Sequence, residues 1–143
     1  MNNAKKWSAA AMLFLAVGAA SAADADRVKV VYHVNEGLTQ ASNALRNIRN
    51  HLAADSDAKI VVVTHSKGID FLLEGAKDPN GNPYEAAVQD LAARGVDFLV
   101  CQNTLTSRKL DKSSVILGAK IVPSGVAEIA RLQAREGYVY LRP

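Results

Sequence analysis

The side chain of this sequence best suited to covalent chemistry is its single cysteine, Cys101. It ends the apolar run Asp97-Phe98-Leu99-Val100-Cys101, and Gln102-Asn103-Thr104, residues that can open a helix, follow at once. A sulfur at a strand end, in front of the free N–H groups and the positive dipole end of a helix, is favoured as the thiolate, the form that attacks disulfides and sulfane sulfur. The competing use of such a residue is as a small buried hydrophobe. A lone cysteine forms no internal disulfide. Without a Cys-x-x-Cys pair it also has nothing to resolve a mixed disulfide, which disfavours a dithiol oxidoreductase.

Other polar residues fall where they could support that sulfur. His65-Ser66-Lys67-Gly68 follows the run Ile60-Val61-Val62-Val63-Thr64, so His65 is expected on the same sheet edge as Cys101, where it could hydrogen-bond or acidify the thiol. Asn35, Asn103 and Arg108 are expected near the same rim, where they could hold an anion such as a persulfide or a sulfur oxyanion; Asn103 or Thr104 can also cap the helix, turn and cap duties explain Asn35 and Asn103 equally well, and Arg108 is otherwise a solvated side chain. His33 and His51 fall on a strand and a helix end, which suits structural or exposed roles. The stretch from Thr64 to Gly68 faintly imitates the Gly-x-Ser-x-Gly turn of serine hydrolases, but Thr64 replaces the first glycine and no histidine follows His65. Serine hydrolysis is therefore not expected. Three histidines and one cysteine without close spacing argue against zinc, and Gly37, Gly68 and Gly125 form no phosphate-binding fingerprint, so neither metal nor cofactor is expected.

The elements that must position these residues read clearly. Val28 to Val34 is a β-branched apolar run closed by the turn residues Asn35-Glu36-Gly37. From Thr39, a plausible N-cap, apolar residues recur at Ala41, Ala44, Leu45, Ile48 and Leu52, one face of a helix reaching about Ala54. Ile60 to Thr64 is a second strand; Ile69 to Ala76 is ambiguous; Asp78 to Pro83 is an exposed loop. A helix from Tyr84 presents Ala87, Val88, Leu91 and Ala92 and stops at Gly95, before the third strand. A short helix to about Leu110, a turn within Ser113 to Leu117 and the short strand Lys120-Ile121-Val122 follow. The last helix is expected to turn Val126, Ile129, Ala130 and Leu132 inward and to end at Gly137, before a fifth strand over Tyr138 to Leu141. Strands separated by helices must mostly be parallel with right-handed crossovers, which predicts a three-layer α/β/α sandwich with a mostly parallel sheet of about five strands and ligands at the carboxyl ends of the strands.

Lys5 and Lys6, the apolar stretch Ala9 to Ala20 and the small-x-small triplet Ala20-Ser21-Ala22 fit a secretory signal over residues 1–22, since the stretch is short of the roughly 20 residues a spanning helix needs. Residues 23–143 would then form one α/β domain in the periplasm or outside the cell, with no membrane segment after cleavage and a mobile tail from Ala23 to Asp26. Loss of the two lysines lowers the formal charge from +3 to +1, which gives no nucleic-acid footprint.

The segments Gly95-Val96-Asp97-Phe98-Leu99-Val100-Cys101-Gln102-Asn103-Thr104-Leu105, Val122-Pro123-Ser124-Gly125-Val126-Ala127-Glu128-Ile129, Leu132-Gln133 and Glu136 to Pro143 together resemble the DsrE/DsrF-like family, in order and over the whole of residues 23–143. The resemblance implies a three-layer α/β fold and assembly into trimers or hexamers. In some members it also implies transfer of sulfur as a cysteine persulfide between a donor and an acceptor, in the manner of a sulfurtransferase, with Cys101 matching the sulfur-carrying cysteine. Relay members of that family act in the cytoplasm beside sibling subunits, so an exported copy needs a different donor and acceptor. Many members have no assigned activity. The rival expectation is a non-catalytic, oligomeric module that binds a ligand or partner and keeps Cys101 as core.

Overall fold

Runs of β-branched residues that must be buried on both faces form the centre of a parallel sheet, because helices then cover both sides. The computed structural model describes residues 27–143, where the runs become β1 (Lys29–Val34), β2 (Lys59–Thr64), β3 (Asp97–Cys101), β4 (Ala119–Val122) and β5 (Val139–Leu141). The expected signal segment, residues 1–22, and the tail to Asp26 lie outside the described residues. The helices are α1 (Leu38–Ala54), α2 (Tyr84–Ala93), α3 (Gln102–Ser107) and α4 (Gly125–Glu136), with 3-10 turns over Ser66–Leu72 and Lys112–Ser114. The strands lie in the order β4-β3-β2-β1-β5 and every pairing is parallel. The chain therefore steps outward from β1 to β4 and returns across the opposite face, under α4, to place β5 beside β1.

Alternate residues of the strands feed two cores. Val30, Tyr32, Val34, Ile60, Val62, Phe98 and Val100 pack against α1, α2 and the first 3-10 turn, where Phe71 meets Tyr84 and Phe98 edge-on at centroid distances of 5.9 and 6.3 Å. Val31, Val61, Val63 and Leu99 pack against Ile129 and Leu132 of α4 and against Tyr138. His33 and Cys101 follow the same alternation and share the α4 face. Helix α1 buries the expected stripe Ala41, Ala44, Leu45, Ile48 and Leu52.

Local details differ from the sequence expectations for physical reasons. Helix α1 begins at Leu38 after Gly37, with no side-chain cap from Thr39; instead the buried Gln40 carboxamide oxygen accepts from the N–H groups of Asn35 and Glu36 at 2.7 and 2.8 Å. Gly37 has φ 105°, which a side chain would strain. In α4 the inward stripe is Gly125, Ile129 and Leu132, whereas Val126 is 61% exposed and Ala130 is also outside, because Gly125 faces the sheet and sets the phase. The ambiguous stretch after β2 is the 3-10 turn, which buries Ile69, Phe71 and Leu72. Helix α3 ends at Ser107 rather than Leu110, and the second 3-10 turn occupies Lys112–Ser114, capped by Asp111.

Candidate functional site

Cys101 is both the last residue of β3 and the N-cap of α3, so its sulfur stands at the end of α3 where backbone N–H groups lack helical partners, although it makes no cap hydrogen bond of full geometry itself. It is a free thiol, 5% exposed. Burial, the largest influence, pushes its pKa up. Hydrogen bonds from the Gly125 N–H, from the Thr104 hydroxyl and N–H, and from the Asn103 N–H oppose it and prevail, leaving the thiol below its ordinary value. The sulfur is therefore buried among donors rather than among hydrocarbon alone.

Gly125, the first residue of α4, explains how a helix from the far side of the sheet reaches that sulfur. A Cβ placed there would lie 3.2 Å from Thr64 O, 3.3 Å from the His65 Cβ and 3.4 Å from the Cys101 Cβ. A side chain there would be crowded, so glycine suits an α4 N-terminus pressed this closely over β2 and β3. The Ser124 hydroxyl caps α4, accepting from the Ala127 N–H at 3.4 Å.

Thr104 does not cap α3, since Cys101 occupies that position. Its buried hydroxyl instead donates toward the sulfur and accepts from the Ser66 N–H at 3.0 Å, tying the loop after β2 to the cysteine. Ser66 has φ 53°, an unusual conformation for a residue with a Cβ, and its hydroxyl lies 3.0 Å from His65 Nδ1. Two residues on, Gly68 passes so close to β1 that a Cβ would sit 2.0 Å from Val34 O. The turn thus has a strained serine beside a histidine, but that histidine is backed by a second histidine rather than by a carboxylate.

The remaining rim residues are distributed as follows. His65 makes its hydrogen bonds to Ser66 and, through Nε2, to His33 Nε2 at 2.7 Å; His33 Nδ1 meets the Tyr140 hydroxyl at 2.7 Å. Burial lowers the pKa of both histidines; for His33 the neighbouring His65 and Arg142 add to this and Glu36 opposes it. Asn103 is exposed, and its N–H also reaches Pro123 O at 3.3 Å. The Asn35 side chain accepts from Arg142 at 3.4 Å, on the β1 and β5 side. Arg108 donates to Ser66 O and pairs with Asp70 at 2.6 Å, so the 3-10 turn supplies its anion. In the sequence Tyr140 and Gly125 carry no site role and His33 suits a structural or exposed one; the fold brings all three to the rim. Among the described residues no group of three or more His, Cys, Asp or Glu side chains could hold a metal ion, and no helix is long and apolar enough to cross a membrane.

A five-stranded parallel sheet flanked by helices, with a donor-rich cysteine at the end of its third strand, defines an α/β sandwich with a single thiol at the rim. The chain belongs to the DsrE/DsrF-like family, whose model matches residues 8–143. It is 32% identical to the protein of unknown function MTH1491 from Methanobacterium thermoautotrophicum, over 81% of this chain and 99% of that one, with a TM-score of 0.72. The ychN protein from E. coli shares the fold at 19% identity, with a TM-score of 0.68 over 81% of this chain and 99% of that one. No curated protein matches the chain.

Proposed function

We propose that the protein carries sulfur as a persulfide on Cys101, accepting it from a donor and passing it to an acceptor thiol. The observation that supports this most is the set of donors around the sulfur: three N–H groups and a hydroxyl offset the cost of burying a charged thiolate. Sulfur transfer needs that thiolate as nucleophile, and the same donors would hold the anionic terminal sulfur of a persulfide. Family membership agrees with a sulfur-relay role. We further propose that the chain is exported behind the signal at residues 1–22, that its donor and acceptor are thiols or small sulfur compounds of that compartment, and that it works as a homo-oligomer, a trimer or hexamer as the family resemblance implies. Mass spectrometry after incubation with polysulfide or thiosulfate should find added sulfur that is absent in Cys101→Ser. No adduct with any sulfur donor would remove the carrier role.

The 5% exposure of Cys101 favours one other reading, a binding or assembly module in which the cysteine is core. Iodoacetamide separates the two. Labelling of the native protein supports the carrier, and labelling only in denaturant supports the module.

A further inference from the structure

The strand order β3-β2-β1-β5 gathers Cys101, His65 just after β2, His33 and Tyr140 along the carboxyl rim of the sheet. Thr64 pairs with Val100, so the next residues in register, His65 and Cys101, stand side by side. Their Cβ atoms lie 3.3 and 3.4 Å from the point a Cβ on Gly125 would take. His33, in β1, meets His65 Nε2 to Nε2 at 2.7 Å, and Tyr140, in β5, reaches His33 Nδ1 at 2.7 Å. Hydrogen bonds thus run without a break from His65 beside the thiol to a tyrosine that is 39% exposed.

Two imidazole Nε2 atoms at that distance cannot both present lone pairs. One proton must lie between them, on one ring or the other. The Nδ1 atoms are held by hydroxyls, Ser66 on His65 and Tyr140 on His33, and a hydroxyl can donate or accept, so either tautomer is accommodated. Burial disfavours charging the pair at neutral pH, which leaves it able to accept one further proton. The charged groups that act on His33 are Arg142, which opposes protonation, and Glu36, which favours it; these two are paired with each other.

We propose that His65, His33 and Tyr140 form a shared-proton row that takes the proton of the Cys101 thiol and returns it to the leaving thiol during sulfur transfer. This rests on the carrier role. The steps balance without an oxidant or reductant. The thiol proton passes to the histidine pair; the Cys101 thiolate attacks the outer sulfur of a persulfide donor; a new S–S bond forms as the donor's own S–S bond breaks. The donor's inner sulfur leaves as a thiolate and takes the proton back from the pair. Of the three, His65 is the one beside Cys101 in register, and His33 and Tyr140 are positioning residues that set where the shared proton resides.

The test is the pH dependence of Cys101 alkylation by iodoacetamide in the wild type, His65→Gln, His33→Gln and Tyr140→Phe, with sulfur uptake from a persulfide of a small thiol followed beside it. Two coupled steps are expected in the wild type, one for the thiol and one for the histidine pair. The histidine step should vanish in His65→Gln and move in both His33→Gln and Tyr140→Phe, the last of which removes only an exposed hydroxyl. Sulfur uptake should fall about a hundredfold in His65→Gln. An unchanged alkylation profile in His33→Gln and Tyr140→Phe overturns the row even if the wild type takes up sulfur. A wild type that takes up none, with alkylation steps that respond as described, sinks the carrier role and leaves the row standing.

Discussion

Thr104→Val exchanges a hydroxyl for a methyl group of nearly the same shape and severs two hydrogen bonds at once. The hydroxyl donates to the Cys101 sulfur and accepts from the Ser66 N–H at 3.0 Å. A hydrogen bond to a charged group contributes about 1.5–3 kcal/mol. Its loss should lower the thiolate fraction by about ten- to a hundredfold at a fixed pH below the thiol pKa, since about 1.4 kcal/mol corresponds to a factor of ten. The Ser66 N–H left without its acceptor adds a cost of about 1–3 kcal/mol that does not depend on pH. The thiol pKa is depressed in the folded state, so the thiolate contribution to stability is fully present above the unfolded value of about 8.5 and is lost as pH falls through the folded pKa. The destabilisation by Thr104→Val should therefore be larger at alkaline than at acid pH. Thiolate absorbance in the far ultraviolet, followed against pH, measures the first effect; denaturant unfolding at an acid and an alkaline pH measures the second. Thr104→Ser should restore both. An unchanged thiolate titration in Thr104→Val would refute the assignment of its hydroxyl to the sulfur, and a destabilisation equal at both pH values would do the same for the linkage.

Three further outcomes follow from the same geometry. Gly125→Ala should lift the start of α4 from β2 and β3, where contacts of 3.2 to 3.4 Å leave little room, and slow native alkylation of Cys101 about tenfold or more through loss of the Gly125 N–H donor; an unaltered rate would show that this donor does not matter. Gly68→Ala must push the 3-10 turn away from β1, where its Cβ would meet Val34 O at 2.0 Å, and should cost about 3 kcal/mol or more, read as a fall in the denaturation midpoint. Folded His33 and His65 bind protons less readily than the unfolded chain, so their contribution makes stability rise with pH through about 6.5. The double variant His33→Gln/His65→Gln should flatten that part of the stability curve.

What the sequence revealed and what it hid separate along the range of the interactions. The continuous run Asp97 to Cys101, followed by polar helix openers, located both the thiol and the helix after it, because strand and cap are local properties. The choice of Gly125 as a donor was invisible, since it depends on β4 lying next to β3 and on α4 folding back over the face that Cys101 shares. The phase of α4 differs for the same reason: Val126 is the more apolar residue, but the sheet takes Gly125, which has no side chain to crowd the close approach. Read from the sequence, Arg108 is either an anion contact or a solvated side chain; its true partner, Asp70, falls in the stretch whose apolar pattern fits neither helix nor strand. His33 suits a structural or exposed role in the sequence, and nothing local connects it to Tyr140; the connection arises only when the last strand returns beside the first. Residues that act through sequence neighbours could be found early, and those that act across strands waited for the strand order.

The most direct measurement of the central claim compares the alkylation rate of Cys101 in the native protein with that of the same thiol in denaturant, at a mildly acidic pH where an ordinary cysteine is almost wholly protonated. If the surrounding donors hold a thiolate that small molecules can reach, the folded protein reacts faster. A folded protein that reacts more slowly than the unfolded chain, or not at all, would contradict it.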